Sequence, residues 1–135
     1  MKTSRLLLKI IAVWIILMAV ESVHGTLRIL FLVPRIGELP AKQISFLPGL
    51  ALILFITYLF IPWIGAKTTR PLIITGVIWV VLTFIFEIGL GRLVFNYSWD
   101  KVFADYDLFN GGLMLIGLLI LVIAPWSMAK LQRIV

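Results

Sequence analysis

Three polar residues interrupt the apolar run from Val13 to Phe31, and their spacing places them on one side of a helix. Glu21, His24 and Arg28 stand at i, i+3 and i+7. A carboxylate, an imidazole and a guanidinium on one face can bind an ion or a headgroup, or handle a proton. His24 has two interpretations, a hydrogen-bonded structural residue or a proton-handling group.

A second apolar run, from Ile78 to Phe95, has a similar order of residues. It contains Trp79, then Glu87 and then Arg92. Trp79, Thr83 and Glu87 are spaced by four residues, which predicts that they share one helical face. The second run therefore predicts a second charged helix beside the first.

The two glutamates are predicted to lie at the same depth in a membrane. Glu21 follows Leu6 by 15 residues, and Glu87 follows Leu72 by 15 residues. At 1.5 Å per residue both stand about 22 Å along their helices, in the outer third of a hydrocarbon core of about 30 Å. The arginines stand one to two turns further out.

Two carboxylates and two guanidinium groups at neighbouring depths allow two interpretations. As a structural clamp, Glu21 pairs with Arg92 and Glu87 pairs with Arg28, because a charge inside a bilayer needs a partner. As a functional site, they surround a polar pocket for a proton, an ion, a headgroup or a small solute. If the two carboxyl groups meet directly, we expect one to be protonated. The following loop is predicted to cap this layer with its polar residues, which are Asn96, Asp105, Tyr106, Asp107 and Asn110.

The composition indicates that lipid covers this chain. Of 135 residues, 62% are hydrophobic and 13% are charged, against about a quarter charged in soluble domains. The net charge of +6 comes from basic residues at helix ends rather than from a nucleic-acid-binding face, so we expect no nucleic-acid partner. With no Cys and one His, we expect no metal and no cofactor.

The predicted fold is an all-α, single four-helix transmembrane domain over residues 1–135. A helix needs about 20 mostly apolar residues to span a bilayer. Four segments meet this requirement, Leu6–Val33, Ile44–Ile64, Leu72–Phe95 and Gly112–Met128. The positive-inside rule predicts that both termini are cytoplasmic, because one side holds seven basic residues and no acid. Those residues are Lys2, Arg5, Lys9, Lys67, Arg70, Lys130 and Arg133.

An internal duplication of a helical hairpin is also predicted. A shift of 63 residues places Pro62-Trp63 on Pro125-Trp126, and eight of 19 positions from Gly49 to Lys67 are then identical. The repeats would cover about 6–67 and about 72–130. Because the first and third helices run in the same direction, the repeats would be parallel, about an axis along the membrane normal.

The run from Glu21 to Glu38, EsvHGtlRilflvPriGe, resembles a group of uncharacterised small bacterial four-helix integral membrane proteins, as do WvvLTfiFEiglGR and the later DYDL. The resemblance covers most of the chain and implies a bacterial inner (plasma) membrane location, but it implies no activity, cofactor or site residue. Small multidrug transporters also have four helices and a glutamate in the first. This chain differs from them in its charge bias and in Glu87, so their function is not carried over.

Three functions are open at this stage. The favoured one is a non-enzymatic accessory or assembly subunit of a membrane complex, because the chain is small and lacks catalytic motifs. The alternative is an oligomeric proton- or cation-linked carrier of small solutes that uses Glu21 and Glu87. The third is a membrane enzyme acting on a lipid headgroup through His24 and the glutamates.

Overall fold

The structure is a computed structural model that describes residues 2–104 and 113–135, and these parts of the chain form helices with no strand. The long helices are α1, α3, α4 and α6, and the short ones are α2 and α5. Two π-helical turns extend α1 and α4. In chain order the elements are α1 (Lys2–Leu27), the first π-helical turn (Arg28–Leu32), α2 (Val33–Ile36), α3 (Glu38–Ile64), α4 (Thr69–Gly89), the second π-helical turn (Leu90–Val94), α5 (Trp99–Ala104) and α6 (Met114–Leu131).

Four helical spans in the described residues are long and apolar enough to cross a membrane. Only 22–28% of the most apolar window of each span is buried inside the bundle, so most of each span faces outward. An outward-facing apolar surface of this extent suggests an integral membrane protein, as the composition predicted. The spans are Ser4–Ile36, Glu38–Ile64, Thr69–Val94 and Met114–Leu131.

The second span begins six residues earlier than predicted, at Glu38 instead of Ile44. Pro40 then lies in the first turn of α3, where the missing N–H has no helical acceptor to lose. Pro48 lies inside α3 rather than in its first turns, and Pro62 is also internal. Each internal proline removes one backbone hydrogen bond, which neighbouring groups in a membrane helix can compensate.

The core is held by two tryptophans that join α1 to α4. Trp79 is fully buried, and its Nε1 donates to the carbonyl oxygen of Ile10 at 2.9 Å. Trp14 Nε1 donates to the hydroxyl of Thr83 at 3.0 Å, and the ring meets Phe86 edge-on. The two bonds span equal sequence separations, so α1 and α4 run in the same direction.

The closest helix contact joins α4 to α6. Gly76 is buried against the backbone of Val122, and a Cβ on Gly76 would overlap the Val122 carbonyl group. Glycine at this position lets the two backbones approach in the manner typical of membrane helices.

We call the end of the bundle with Arg28, Glu38 and Leu90–Val94 the charged end, and the opposite end the basic end. At the basic end Lys9 lies 5.5 Å from the centre of the Trp63 ring, and Lys130 lies 5.1 Å from that of its neighbour Trp126. At the charged end the backbone N–H groups of Val33 and Phe95 bond to carbonyl groups five residues earlier, which defines the two π-helical turns.

Candidate charged site near one end of the bundle

Glu21 lies in α1 opposite α3. It is half-buried, and its Oε1 atom is buried with no hydrogen-bond partner among the described residues. Its Oε2 atom faces Gly49, where a Cβ would lie 3.4 Å away. Gly49 therefore provides the space that the carboxyl group occupies between the two helices.

His24 lies one turn beyond Glu21 and is bonded to the backbone of α3. Its Nε2 atom is 3.0 Å from the carbonyl oxygen of Ser45. A carbonyl oxygen only accepts, so Nε2 carries the proton in this bond. The ring also packs against Gly49, with Nε2 3.4 Å from the position of a Cβ there. This bond fixes the orientation of the ring.

Arg28 folds back along α1 toward Glu21. A terminal guanidinium nitrogen lies 3.6 Å from the position of a Cβ on Gly25, so this glycine makes room for the side chain. The charges that act on the Glu21 carboxyl group are Glu87, which repels it, and Arg28, which attracts it. Within the described residues, no basic side chain forms an ion pair with Glu21 at 4.0 Å or less.

Glu87 is exposed, although it shares a helical face with the core of α4. Trp79 has 0% and Thr83 has 5% of its surface exposed, and Glu87 follows one turn later. Packing on this face is therefore interrupted at Glu87 and resumes at Gly91, which is buried against Val102. The bond from Trp14 to Thr83 lies about one turn from Glu87, on the side of the basic end.

Arg92 contacts the segment that follows it rather than Glu21. Its guanidinium donates to the carbonyl oxygen of Tyr97 at 2.8 Å and lies 4.5 Å from the centre of the Trp99 ring. A hydrogen bond together with a cation–π contact satisfies the charge locally. The pairing of Glu21 with Arg92 that a structural clamp requires is thus not formed.

Only part of the loop that was predicted to cap the charged layer lies within the residues that the structure describes. Asn96 has a positive φ of 53° and makes the turn after the second π-helical turn. Lys101 then lies 3.7 Å from Glu38 and 4.3 Å from the centre of the Tyr97 ring, which ties α5 to the start of α3. The other predicted cap residues, Asp105, Tyr106, Asp107 and Asn110, lie outside the described residues.

Two adjoining grooves run along the surface between α1 and α3. The one nearer the charged end has a volume of about 250 Å³, and the other about 410 Å³. His24 and Leu27 line both, so the two form one continuous channel, which we call the α1–α3 groove. Its remaining lining residues are Arg28, Phe31, Leu32 and Ser45 toward the charged end, and Ala19, Val20, Val23 and Leu52 toward the middle.

Sequence reasoning named the charged residues but missed what surrounds them. Gly49, Ser45 and the ring of Trp99 each contact one of the predicted site residues. A glycine in an apolar helix signals a close approach, but the sequence does not say what approaches it.

No known protein family, curated protein or solved structure matches this chain. Within residues 2–104 and 113–135, no group of three or more His, Cys, Asp or Glu residues is placed to hold a metal ion. The fold is compatible with a multi-pass α-helical membrane protein, and its site consists of two interacting carboxyl groups, one guanidinium and one fixed imidazole.

Proposed function

We propose that this chain is a non-enzymatic multi-pass membrane protein that serves as an accessory or assembly subunit of a membrane complex. The proposal rests on the exposure of Glu87 within an apolar span. A charged side chain inside a membrane helix costs up to about 2.5–3.5 kcal/mol on insertion scales, the value for the helix centre, and Glu87 stands in the outer third. A helix of a partner subunit would add polar contacts on the exposed side of this carboxylate.

The outward surface of the bundle supports the same proposal. Phe84, three residues before Glu87 and on the same side of α4, is 40% exposed, and Ile85 next to it is 62% exposed, so large apolar side chains lie on the outward surface of this part of the helix. A partner helix would bury these side chains and meet the charge with a donor of its own. This combination of apolar contact with a few polar bonds is how membrane helices associate.

We further propose that both termini are cytoplasmic in a bacterial inner membrane and that the two hairpins arose by duplication. The basic end carries Lys9, Lys67 and Lys130, which supports the orientation. Supporting the duplication, a π-helical turn extends both α1 and α4 near their aligned arginines.

Complex formation can be tested with affinity-tagged protein from native membranes. We expect it to migrate on native gels as a particle that contains at least one other polypeptide. Glu87→Gln should lower the recovery of that polypeptide at least about tenfold relative to the tagged chain, because a lost charge-assisted bond is worth about 1.5–3 kcal/mol. Recovery of the chain alone from native membranes would contradict the proposal.

Glu38→Gln is the matched control, because Glu38 is also exposed at the charged end but lies at the start of α3. It should leave recovery of the partner unchanged. If Glu38→Gln and Glu87→Gln lowered the recovery of the partner equally, the effect would be a general one of surface charge. That result would also contradict the proposal.

The second candidate is an oligomeric proton- or cation-linked carrier of small solutes. One observation favours it: Glu21 has a buried carboxyl oxygen without a partner in the described residues, beside a second carboxylate that is exposed. A carboxyl group with one buried oxygen and a second carboxylate acting on it can take up and release a cation or a proton. In proteoliposomes, Glu21→Gln should then abolish proton-driven flux while the thermal midpoint stays unchanged, and unchanged flux in a Glu21→Gln, Glu87→Gln double variant would exclude this candidate.

A further inference from the structure

The α1–α3 groove has an amphipathic layout that matches the depth profile of a bilayer. Counting at 1.5 Å per residue from Leu6, Val20 stands about 21 Å along α1 and Arg28 stands about 33 Å along it. The hydrocarbon core is about 30 Å thick. The apolar part of the groove therefore lies among acyl chains, and the Arg28 guanidinium, which folds back to the level of Gly25, lies at the boundary between acyl chains and headgroups.

The opposite wall of the groove gives the same depths. Counting from Ile64 at the basic end of α3, Leu52 stands about 18 Å up and Ser45 about 28 Å up. Leu52 lines the apolar part of the groove, and Ser45 lines the part beside Arg28. The depths counted along α1 and along α3 therefore place the change from apolar to polar lining at a similar level.

Arg28 is the positively charged donor in this groove. Two other donors in the groove are already engaged, because His24 Nε2 donates to the Ser45 carbonyl oxygen and the Ser45 hydroxyl donates to the carbonyl oxygen of Lys42. Arg28 has no ion pair at 4.0 Å or less with a described acidic side chain. A guanidinium binds phosphate oxygens with paired N–H donors, a geometry in which Arg is preferred over Lys.

We propose that the α1–α3 groove binds a single phospholipid, with its phosphate on Arg28 and one acyl chain along Val20, Val23 and Leu52. The charge of Arg28 complements the phosphate, and the apolar lining beneath it complements the chain. This site is independent of the proposed role as a subunit, because the groove lies between α1 and α3 whereas Glu87 lies on α4.

Native mass spectrometry of the detergent-purified full chain tests the proposal by titration with dioleoylphosphatidylglycerol. We expect one lipid to bind at saturation. Arg28→Gln should raise the apparent Kd about tenfold, because it removes a charge-assisted contact to the phosphate. Arg35→Gln is the control and should bind as the unaltered chain does, because Arg35 is exposed beyond the groove.

A second pair of variants tests the acyl chain and stays informative if Arg28→Gln fails to fold. Val23 lines the groove and is 61% exposed, so Val23→Trp should fill the apolar part and raise the apparent Kd about tenfold. Val81 is 50% exposed on α4, outside the groove, so Val81→Trp should leave binding unchanged. Unchanged binding in both Arg28→Gln and Val23→Trp would overturn the proposal.

Two further ligands test whether binding needs both the phosphate and the acyl chains. Dioleoylglycerol carries the same chains without phosphate, and inorganic phosphate carries the charge without chains. We expect each to bind at least about tenfold more weakly than the phospholipid. Dioleoylglycerol binding as tightly as the phospholipid would overturn the role of Arg28, and phosphate binding as tightly would overturn a lipid as the occupant.

Discussion

Gly49 lies directly opposite the carboxyl group of Glu21, and a Cβ at its position would stand 3.4 Å from Glu21 Oε2. The same position is 3.4 Å from His24 Nε2. Because Gly49 has no side chain, the polar side chains of Glu21 and His24 on α1 can both pack directly against α3 at this point. This relationship and two others give predictions that do not depend on the proposed function, and a fourth prediction tests the proposed orientation.

Enlarging Gly49 is expected to destabilise the bundle according to the size of the new side chain. Gly49→Ala should be tolerated, because 3.4 Å is an ordinary van der Waals contact. Gly49→Leu should cost about 1–3 kcal/mol, since overpacking displaces both Glu21 and His24. The measurement is unfolding by titration with sodium dodecyl sulfate. Gly89→Leu is the control, because Gly89 has open space around it, and a loss as large there would contradict the explanation.

Gly76→Ala is expected to separate α4 from α6. The added Cβ would overlap the Val122 carbonyl group, and backbone atoms cannot move aside as a flexible side chain can. We expect a loss of about 1–3 kcal/mol in the free energy of unfolding, by the same titration. Gly49→Ala is the matched control at another buried helix contact. If the two alanine variants were equally stable, the close approach of α4 and α6 would be wrong.

The hydrogen bond from Trp14 to Thr83 should appear as a coupling energy in a double-mutant cycle. Trp14→Phe removes the N–H donor, and Thr83→Ala removes the acceptor. We expect the pair to couple by about 0.5–1.5 kcal/mol, the usual net value of one hydrogen bond. A second cycle, which combines Trp14→Phe with Thr75→Ala, serves as the control. The Thr75 hydroxyl donates to the carbonyl oxygen of Pro71 in its own helix, so no coupling to Trp14 is expected. Additive effects in the first cycle would show that this bond is not formed.

The orientation in the membrane can be read from single cysteines, because the natural chain contains none. In intact bacterial cells, a membrane-impermeant maleimide should label Ser98→Cys at the charged end and leave Thr68→Cys at the basic end unlabelled. Permeabilised cells should show labelling of both, which controls for accessibility. The reverse pattern would place the termini outside and refute the positive-inside assignment.

The number of spans could be predicted because it depends on composition alone. Apolar runs of about 20 residues need no tertiary information, and the structure has four helices of sufficient length. The start of α3 was harder, because Pro40 resembles a helix breaker in the sequence and Pro48 fits the first turns of a helix. In the structure Pro40 lies in a first turn and Pro48 lies inside the helix, so proline marks no boundary at Pro48.

The contacts of the charged residues could not be predicted, because helical spacing gives a face and a depth but no neighbour. Glu21 and Glu87 share a predicted depth and do act on each other. Their surroundings differ, since Glu21 is half-buried against Gly49 while Glu87 is exposed. That difference arises from tertiary packing, because α3 lies against Glu21 at Gly49, and the spacing within one helix does not determine such a contact.

The second π-helical turn has a geometric effect on Arg92. A π-helical turn includes one more residue than an α-helical turn, and each residue advances a helix by about 100°. A side chain within or beyond Leu90–Val94 is therefore rotated away from the azimuth that a regular helix would give it. At about 100° per residue, the five residues from Glu87 to Arg92 place the two side chains about 140° apart even in a regular helix, so the guanidinium lies away from the carboxylate and against the Trp99 ring.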